Sequence, residues 1–158
     1  MASFEFLAVI LTGLGLTASI VYYASILQNT SKARQRDLII QRYQAMSIEY
    51  MKIYREVSNY EFDNWDDYSE KYGRWSNPEA DAKWLYIMSV YNMAGIMLKE
   101  NMGESNLIFQ LYPESAVIQL WEQFEEITKN VRKIINNPIY WEPFEFLYTE
   151  AKNRKPNR

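Results

Sequence analysis

Apolar residues from Ile39 onward recur at Ile39, Tyr43, Met46, Tyr50, Ile53 and Val57, a 4-3-4-3-4 spacing that lays one stripe along a helix. No Gly or Pro lies between Gly15 and Gly73, so this helix is expected to continue from the preceding segment with little interruption. The stripe suits either a coiled-coil seam between two chains or the side of a bundle. Fewer than three full heptads favours the bundle.

Further helices follow from caps and spacing. Asp63 or Asn64 is placed to cap a short helix that Gly73 ends. Ser76-Asn77-Pro78-Glu79 offers a capping box and an early helical proline, so a long helix should start there and run to about Met102. Its buried face would carry Trp84, Ile87, Met88, Tyr91 and Leu98. Ser105 is placed to cap a turn or two over Asn106 to Leu111, and Pro113 then opens another long helix. That helix puts Val117, Leu120, Trp121, Phe124, Ile127, Val131, Ile134 and Ile135 on one face and stops at Asn136-Asn137-Pro138. A last short helix, Glu142 to Asn153, should turn Phe144, Leu147 and Tyr148 inward. No strand-like alternation of useful length appears, so residues 37–158 are expected to form an all-α bundle of about five helices. Its core should include Tyr43, Tyr50, Trp84, Tyr91, Trp121 and Phe124.

The amino terminus has another character. No charged residue lies between Glu5 and Lys32, and Phe6 to Leu27 is dominated by Leu, Ile, Val, Ala and Gly. That run is long enough for a bilayer core of about 30 Å, which needs roughly 20 helical residues. Phe4 and Phe6 at one end and Tyr22 and Tyr23 at the other would stand near the two interfaces, about 28 Å apart by helix rise. A cleaved signal peptide would need a basic start and a shorter apolar core, and a buried core helix seldom avoids charge for so long. A single retained transmembrane helix is therefore expected within residues 1–31, followed by a helical domain over 32–153 and a polar basic tail over 154–158. Lys32, Arg34 and Arg36 follow the span, with Arg42 close behind, against Glu5 alone before it. That bias places the N-terminus outside and the domain in the cytoplasm. Gly15 with Ser19, and Gly13 with Thr17, form small-xxx-small pairs that would permit a homodimer through the span.

Composition then removes most chemistry. Across 158 residues there is no histidine and no cysteine, which excludes Ser-His-Asp and Cys-His sites, thiolate nucleophiles, disulfides and the usual zinc clusters. None of the 5 glycines stands in a phosphate-binding loop. From Asp37 onward 19 acidic residues face 14 basic ones, a net of −5, which disfavours nucleic acid as a partner. Carboxylate metal sites stay open in principle. Glu122, Glu125 and Glu126 lie at i, i+3 and i+4, but the di-iron bundle design also needs a histidine. A solvated acidic face explains them more simply. Asp63, Asp66, Asp67 and Glu70 lack the alternate spacing and central Gly of a calcium loop, so capping and surface charge suit them better. No cofactor is expected. Arg132, set among Val131, Ile134 and Ile135, could pair with a carboxylate such as Glu145 and hold the last helix down, or face solvent near a helix C-terminus.

Several short stretches stand out: Ile20-Val21-Tyr22-Tyr23 before the basic cluster, Tyr91-Asn92-Met93-Ala94-Gly95, Leu120-Trp121-Glu122, Arg132, and Phe144-Glu145-Phe146-Leu147-Tyr148. In that order they resemble uncharacterised prokaryotic proteins of a domain-of-unknown-function class, with one N-terminal span and a small helical domain. The resemblance implies that architecture and no activity. The expected function is a non-enzymatic module tethered to the bilayer, an adaptor or accessory subunit with a protein partner. The alternative is a membrane-attached enzyme using carboxylates and a divalent metal. An exposed aromatic or apolar patch would favour the module, and carboxylates converging in a pocket would favour the enzyme.

Overall fold

The computed structural model describes residues 2–45 and 47–154, with the side chains of 2–14 and 41–45 left outside the description. It divides into two compact units, Met1–Leu38 and Ile39–Arg158. Among the described residues every regular element is a helix: α1 (Ala2–Ala45), α2 (Ile48–Ser58), α3 (Trp65–Tyr72), α4 (Pro78–Lys99), α5 (Ser105–Leu111), α6 (Glu114–Ile134) and α7 (Glu142–Asn153). The all-α class holds, with six helices after α1 rather than five.

The stripe starting at Ile39 does not run on one helix. Ser47 adopts extended backbone, and its Oγ accepts from the Tyr50 N–H at 3.0 Å, so a new helix starts there. Of the expected core positions, the side chain of Tyr43 and all of Met46 lie outside the described residues.

Three other caps differ from expectation. Asn77 caps α4 by accepting from Ala80 N, whereas the Ser76 hydroxyl donates back to Ser69 O, so the Ser76–Glu79 capping box is not made. α4 ends at Lys99 because Asn101 turns left-handed, with φ 52°. Ser105 begins α5 without capping it, and its hydroxyl serves Arg154 instead.

The transmembrane span over Phe6–Leu27 is not supported: among the described residues no helix is long and apolar enough to cross a membrane. From Gly15 onward Thr17, Ser19 and Ser25, then Gln28, Asn29 and Thr30, dilute the apolar run. The side chains of Phe4 and Phe6, and of the run up to Leu14, lie outside the described residues.

The core belongs to the second unit. Trp84, Ile87, Met88 and Tyr91 of α4, Val117, Leu120, Trp121, Phe124 and Ile127 of α6, and Phe144 and Leu147 of α7 are all buried. The rings of Tyr60, Phe62, Tyr68 and Trp84 gather around Phe124, with centroids 5.6 to 6.5 Å from it. Ion pairs staple the helices from outside, Lys83 to Glu56 of α2 at 2.8 Å and Lys99 to Glu142 of α7 at 2.8 Å. Burial stops one turn before the end of α6: Ile134 is 66% exposed and Ile135 is exposed as well. Both were expected inside. Asn136, with φ 50°, turns the chain away at that point.

Candidate interaction site

Of the exposed apolar side chains of the folded unit, Trp75, Ile134 and Ile135 stand together at the end where α3, α4 and the last turn of α6 meet. Asn64 starts α3 by accepting from the Asp66 and Asp67 N–H groups at 3.0 and 3.1 Å. Gly73 closes it. A Cβ there would collide with the Ser69 carbonyl oxygen, so the tight exit requires glycine. The turn is then held by hydrogen bonds from Ser76 N and Asn77 N to Gly73 O, at 3.0 and 2.7 Å. With the backbone fixed in this way, Arg74 and Trp75 are left facing out. Trp75 is 92% exposed, and the Arg74 guanidinium lies 5.8 Å from its ring centroid.

The opposite wall comes from α6 and the turn after it. Arg132 donates through Nε to the Tyr140 carbonyl at 2.8 Å and pairs with Glu145 at 2.7 Å. These bonds fix the 135–141 turn, whose last residue, Trp141, is itself left-handed at φ 60°. Between the walls lies a cavity of about 380 Å³ whose lining includes Tyr68, Asp81, Trp84, Val131 and Tyr140, with Trp75 and Ile134 at its exposed edge. Ile139, 69% exposed, extends the same apolar end. Sequence reading missed this place because Gly73-Arg74-Trp75 registers only as a helix stop.

Asp81 is the carboxylate lining the cavity. Burial pushes its carboxyl above the ordinary aspartate value of 3.8, and Arg74 acts weakly the other way. A carboxyl raised by folding penalises the folded state while ionised, and the penalty fades as pH falls through the raised value towards 3.8. The Asp81→Asn variant should therefore gain Tm relative to the parent at pH 7, and that advantage should shrink by pH 4. Paired melting curves across this range check the sign, and a gap that widens on acidification would contradict it.

The carboxylates considered for metal lie elsewhere. Glu122 accepts from Lys152 at 3.1 Å and from the Tyr148 hydroxyl at 3.2 Å, and these bonds hold its pKa below the usual range. Glu125 pairs with Lys129 at 2.7 Å, and Glu126 is exposed. Asp67 pairs with Lys71 and also accepts from Asp63 N. No group of three or more carboxylates stands close enough to hold a metal ion among the described residues.

On α1, Lys32, Arg34 and Arg36 are exposed, and so are Tyr22 and Tyr23, whose rings meet edge to face at 5.9 Å. Gly15 has nothing within 4 Å of where a Cβ would sit, and Ser19 donates its hydroxyl to Gly15 O at 2.8 Å within the same helix.

The model of a family described as a domain of unknown function, DUF4760, matches residues 4–151. The chain belongs to that family. No curated protein and no solved structure matches it.

Within this DUF4760 chain the short stretches singled out in the folded unit share one task, which is seating α7. Asn92 Oδ1 accepts from Phe144 N at 3.3 Å, sharing that N–H with the Trp141 carbonyl at 3.1 Å and acting as the side-chain cap that Trp141 cannot be. Tyr91 packs on Phe144, with centroids 5.3 Å apart. Gly95 lies under the Pro143 carbonyl, where a Cβ would collide. Trp121 meets Phe144 edge to face at 5.1 Å and stacks on Tyr148 at 5.8 Å. Arg132 holds Glu145. Arg154, assigned from composition to a polar tail, is instead pinned: it reaches Glu114, Ser105 and Asn106 at 3.1, 2.8 and 2.7 Å and lies over the Phe109 ring. The remaining tail residues, 155–158, lie outside the described residues.

Proposed function

We propose that the protein is a non-enzymatic interaction module, tethered to the cell membrane by α1 as a single-pass anchor. Its N-terminus lies outside and its folded domain in the cytoplasm, where it acts as an adaptor or accessory subunit of a membrane complex. The surface of α1 carries the tether. No charge occurs between Glu5 and Lys32, and Leu16, Val21 and Ile26, which project to three different sides at 3.6 residues per turn, are all exposed. Apolar side chains exposed on several sides of one uncharged helix stretch favour lipid as its surroundings. The basic residues Lys32, Arg34 and Arg36 favour a cytoplasmic domain.

The module reading is favoured over the enzyme by where the groups lie. Glu122 and Glu125 are engaged with lysines on the surface, while the α3–α4–α6 end exposes Trp75, Ile134 and Ile139.

Because the chain has no cysteine, single cysteines report its topology directly. Ser3→Cys should react with an impermeant thiol reagent on intact cells, and Met102→Cys should react only after lysis. Labelling of Met102→Cys on intact cells would reverse the orientation, and release of the chain by alkaline carbonate would remove the anchor. A chain that leaves mild detergent as a partnerless monomer would remove the accessory-subunit role.

A further inference from the structure

The cavity between α3, α4 and the end of α6 is lined by polar groups that the fold leaves without partners. Tyr68 and Trp84, each 2% exposed, form part of its wall, and neither Tyr68 Oη nor Trp84 Nε1 has a hydrogen-bond partner among the described residues. Buried polar atoms are nearly always paired, so two orphans around one cavity call for a reason. Asp81 lines the same cavity, half-buried, and its carboxylate makes no hydrogen bond or salt bridge among the described residues. Burial raises the Tyr68 and Tyr140 hydroxyls and the Asp81 charge raises both further, so the two hydroxyls stand within the field of this carboxylate.

The wall that carries these groups is aromatic. Trp65 stacks on Tyr68 with centroids 6.2 Å apart, and Trp84 meets Tyr68 edge to face at 5.9 Å. A volume of about 380 Å³ falls within the range of roughly 300 to 1,000 Å³ found for small-molecule sites, which likewise set a few polar groups in an apolar lining.

The two charges at the cavity are not equivalent. Arg74 is exposed, with its guanidinium 5.8 Å from the Trp75 ring centroid, where water and the ring both serve it. Asp81 is partly withdrawn from water with nothing in return, and burial holds its carboxyl above the ordinary aspartate value. The uncompensated charge is therefore negative, and the group that would complete it is a cation. Aromatic walls favour the same sign. The Tyr68 hydroxyl can accept from an ammonium N–H, while Trp84 Nε1, a donor only, suits an acceptor atom on the same ligand.

We infer that this cavity binds a small organic cation, a protonated amine on an apolar or aromatic body, with the ammonium meeting Asp81 and the Tyr68 hydroxyl. Every residue invoked lies in the folded unit, so the inference is independent of the tether and of any protein partner. It adds a small-molecule ligand to the module proposed above.

Isothermal titration calorimetry on the full chain in mild detergent, with detergent alone as the blank, tests this with three probes of similar shape: phenethylamine, phenethyl alcohol and phenylacetate. Phenethylamine should bind roughly tenfold or more tightly than phenethyl alcohol, and phenylacetate should be the weakest. Asp81→Asn, close to isosteric, should bring phenethylamine down to the affinity of the alcohol and leave the alcohol unchanged. Tyr68→Phe should weaken phenethylamine about three- to tenfold, and Arg74→Ala should leave it equal or tighter. Melting curves without probe establish that each variant folds.

Equal affinities for phenethylamine and phenethyl alcohol would reveal a merely apolar slot and overturn the inference. So would tightest binding of phenylacetate, which would make Arg74 the anchoring charge. An affinity for phenethylamine that survives Asp81→Asn would put the amine elsewhere on the protein and would overturn it too. The absence of saturable heat from phenethylamine at millimolar concentration would show that the cavity takes no such ligand, with the same consequence.

Discussion

Trp121→Ala should destabilise the folded domain by about 3 to 5 kcal/mol, the usual cost of emptying a fully buried indole site. Trp121 is 1% exposed, and its ring meets Phe144 and Tyr148, both on α7. The loss therefore leaves a cavity and also loosens the last helix. Against a total stability of roughly 5 to 15 kcal/mol this is a large share, and Tm should fall by about 10 to 25 °C. Trp75→Ala is the matched control. It removes the same side chain from a position with almost no packing and should shift stability by no more than about 0.5 kcal/mol. Melting the two variants beside the parent, followed by circular dichroism, checks both values. A Trp121 variant that melts like the parent would place the core elsewhere.

Gly95→Ala should be nearly as damaging, although alanine is the better helix former by about 1 kcal/mol. The added methyl would collide with the backbone carbonyl of Pro143, and backbone cannot swing aside as a flexible side chain can. α4 and α7 would have to separate. Separation strains the Asn92 bond to Phe144 N, the Tyr91–Phe144 contact and the Lys99–Glu142 ion pair together. Overpacking alone typically costs 1 to 3 kcal/mol, so a net loss of about 3 kcal/mol is expected once these contacts weaken. Gly15→Ala separates the effects of space and propensity, because nothing lies within 4 Å of its Cβ position. Urea titrations should show Gly95→Ala well below the parent and Gly15→Ala at or above it. Equal midpoints for all three proteins would mean that α4 and α7 do not approach at Gly95.

What the sequence reveals follows from what periodicity can carry. It places the faces of α4, α6 and α7 well, because Trp84, Tyr91, Trp121, Phe124 and Phe144 recur at helical spacing and are buried where that spacing puts them. It cannot say where a neighbour ends, so Ile134 and Ile135 keep the rhythm of Val131 yet lie in solvent. Nor does it locate the break at Ser47, since the apolar spacing from Met46 to Tyr50 runs on undisturbed across it. The Tyr91–Gly95 stretch is visible as a pattern, while its reason appears only with Pro143 opposite Gly95. Arg154 reads as tail by composition, and only the fold brings Glu114, Ser105 and Asn106 around it. The exposed α3–α4–α6 end was the least legible part. A tryptophan's exposure depends on the turn that holds it, and hydrophobicity scales give Trp75 the same value as Trp84.

The seat of α7 also sets an order of events during synthesis. Phe144, Leu147 and Ala151 complete the core and lie on α7, which is made after the helices it covers. Until they emerge, Trp121 and Tyr91 lack the ring that covers them, so the domain cannot close before α7 is made. The unfinished helices spend that interval as an open, aromatic-rich chain in which Tyr91 and Trp121, buried in the finished domain, are still uncovered.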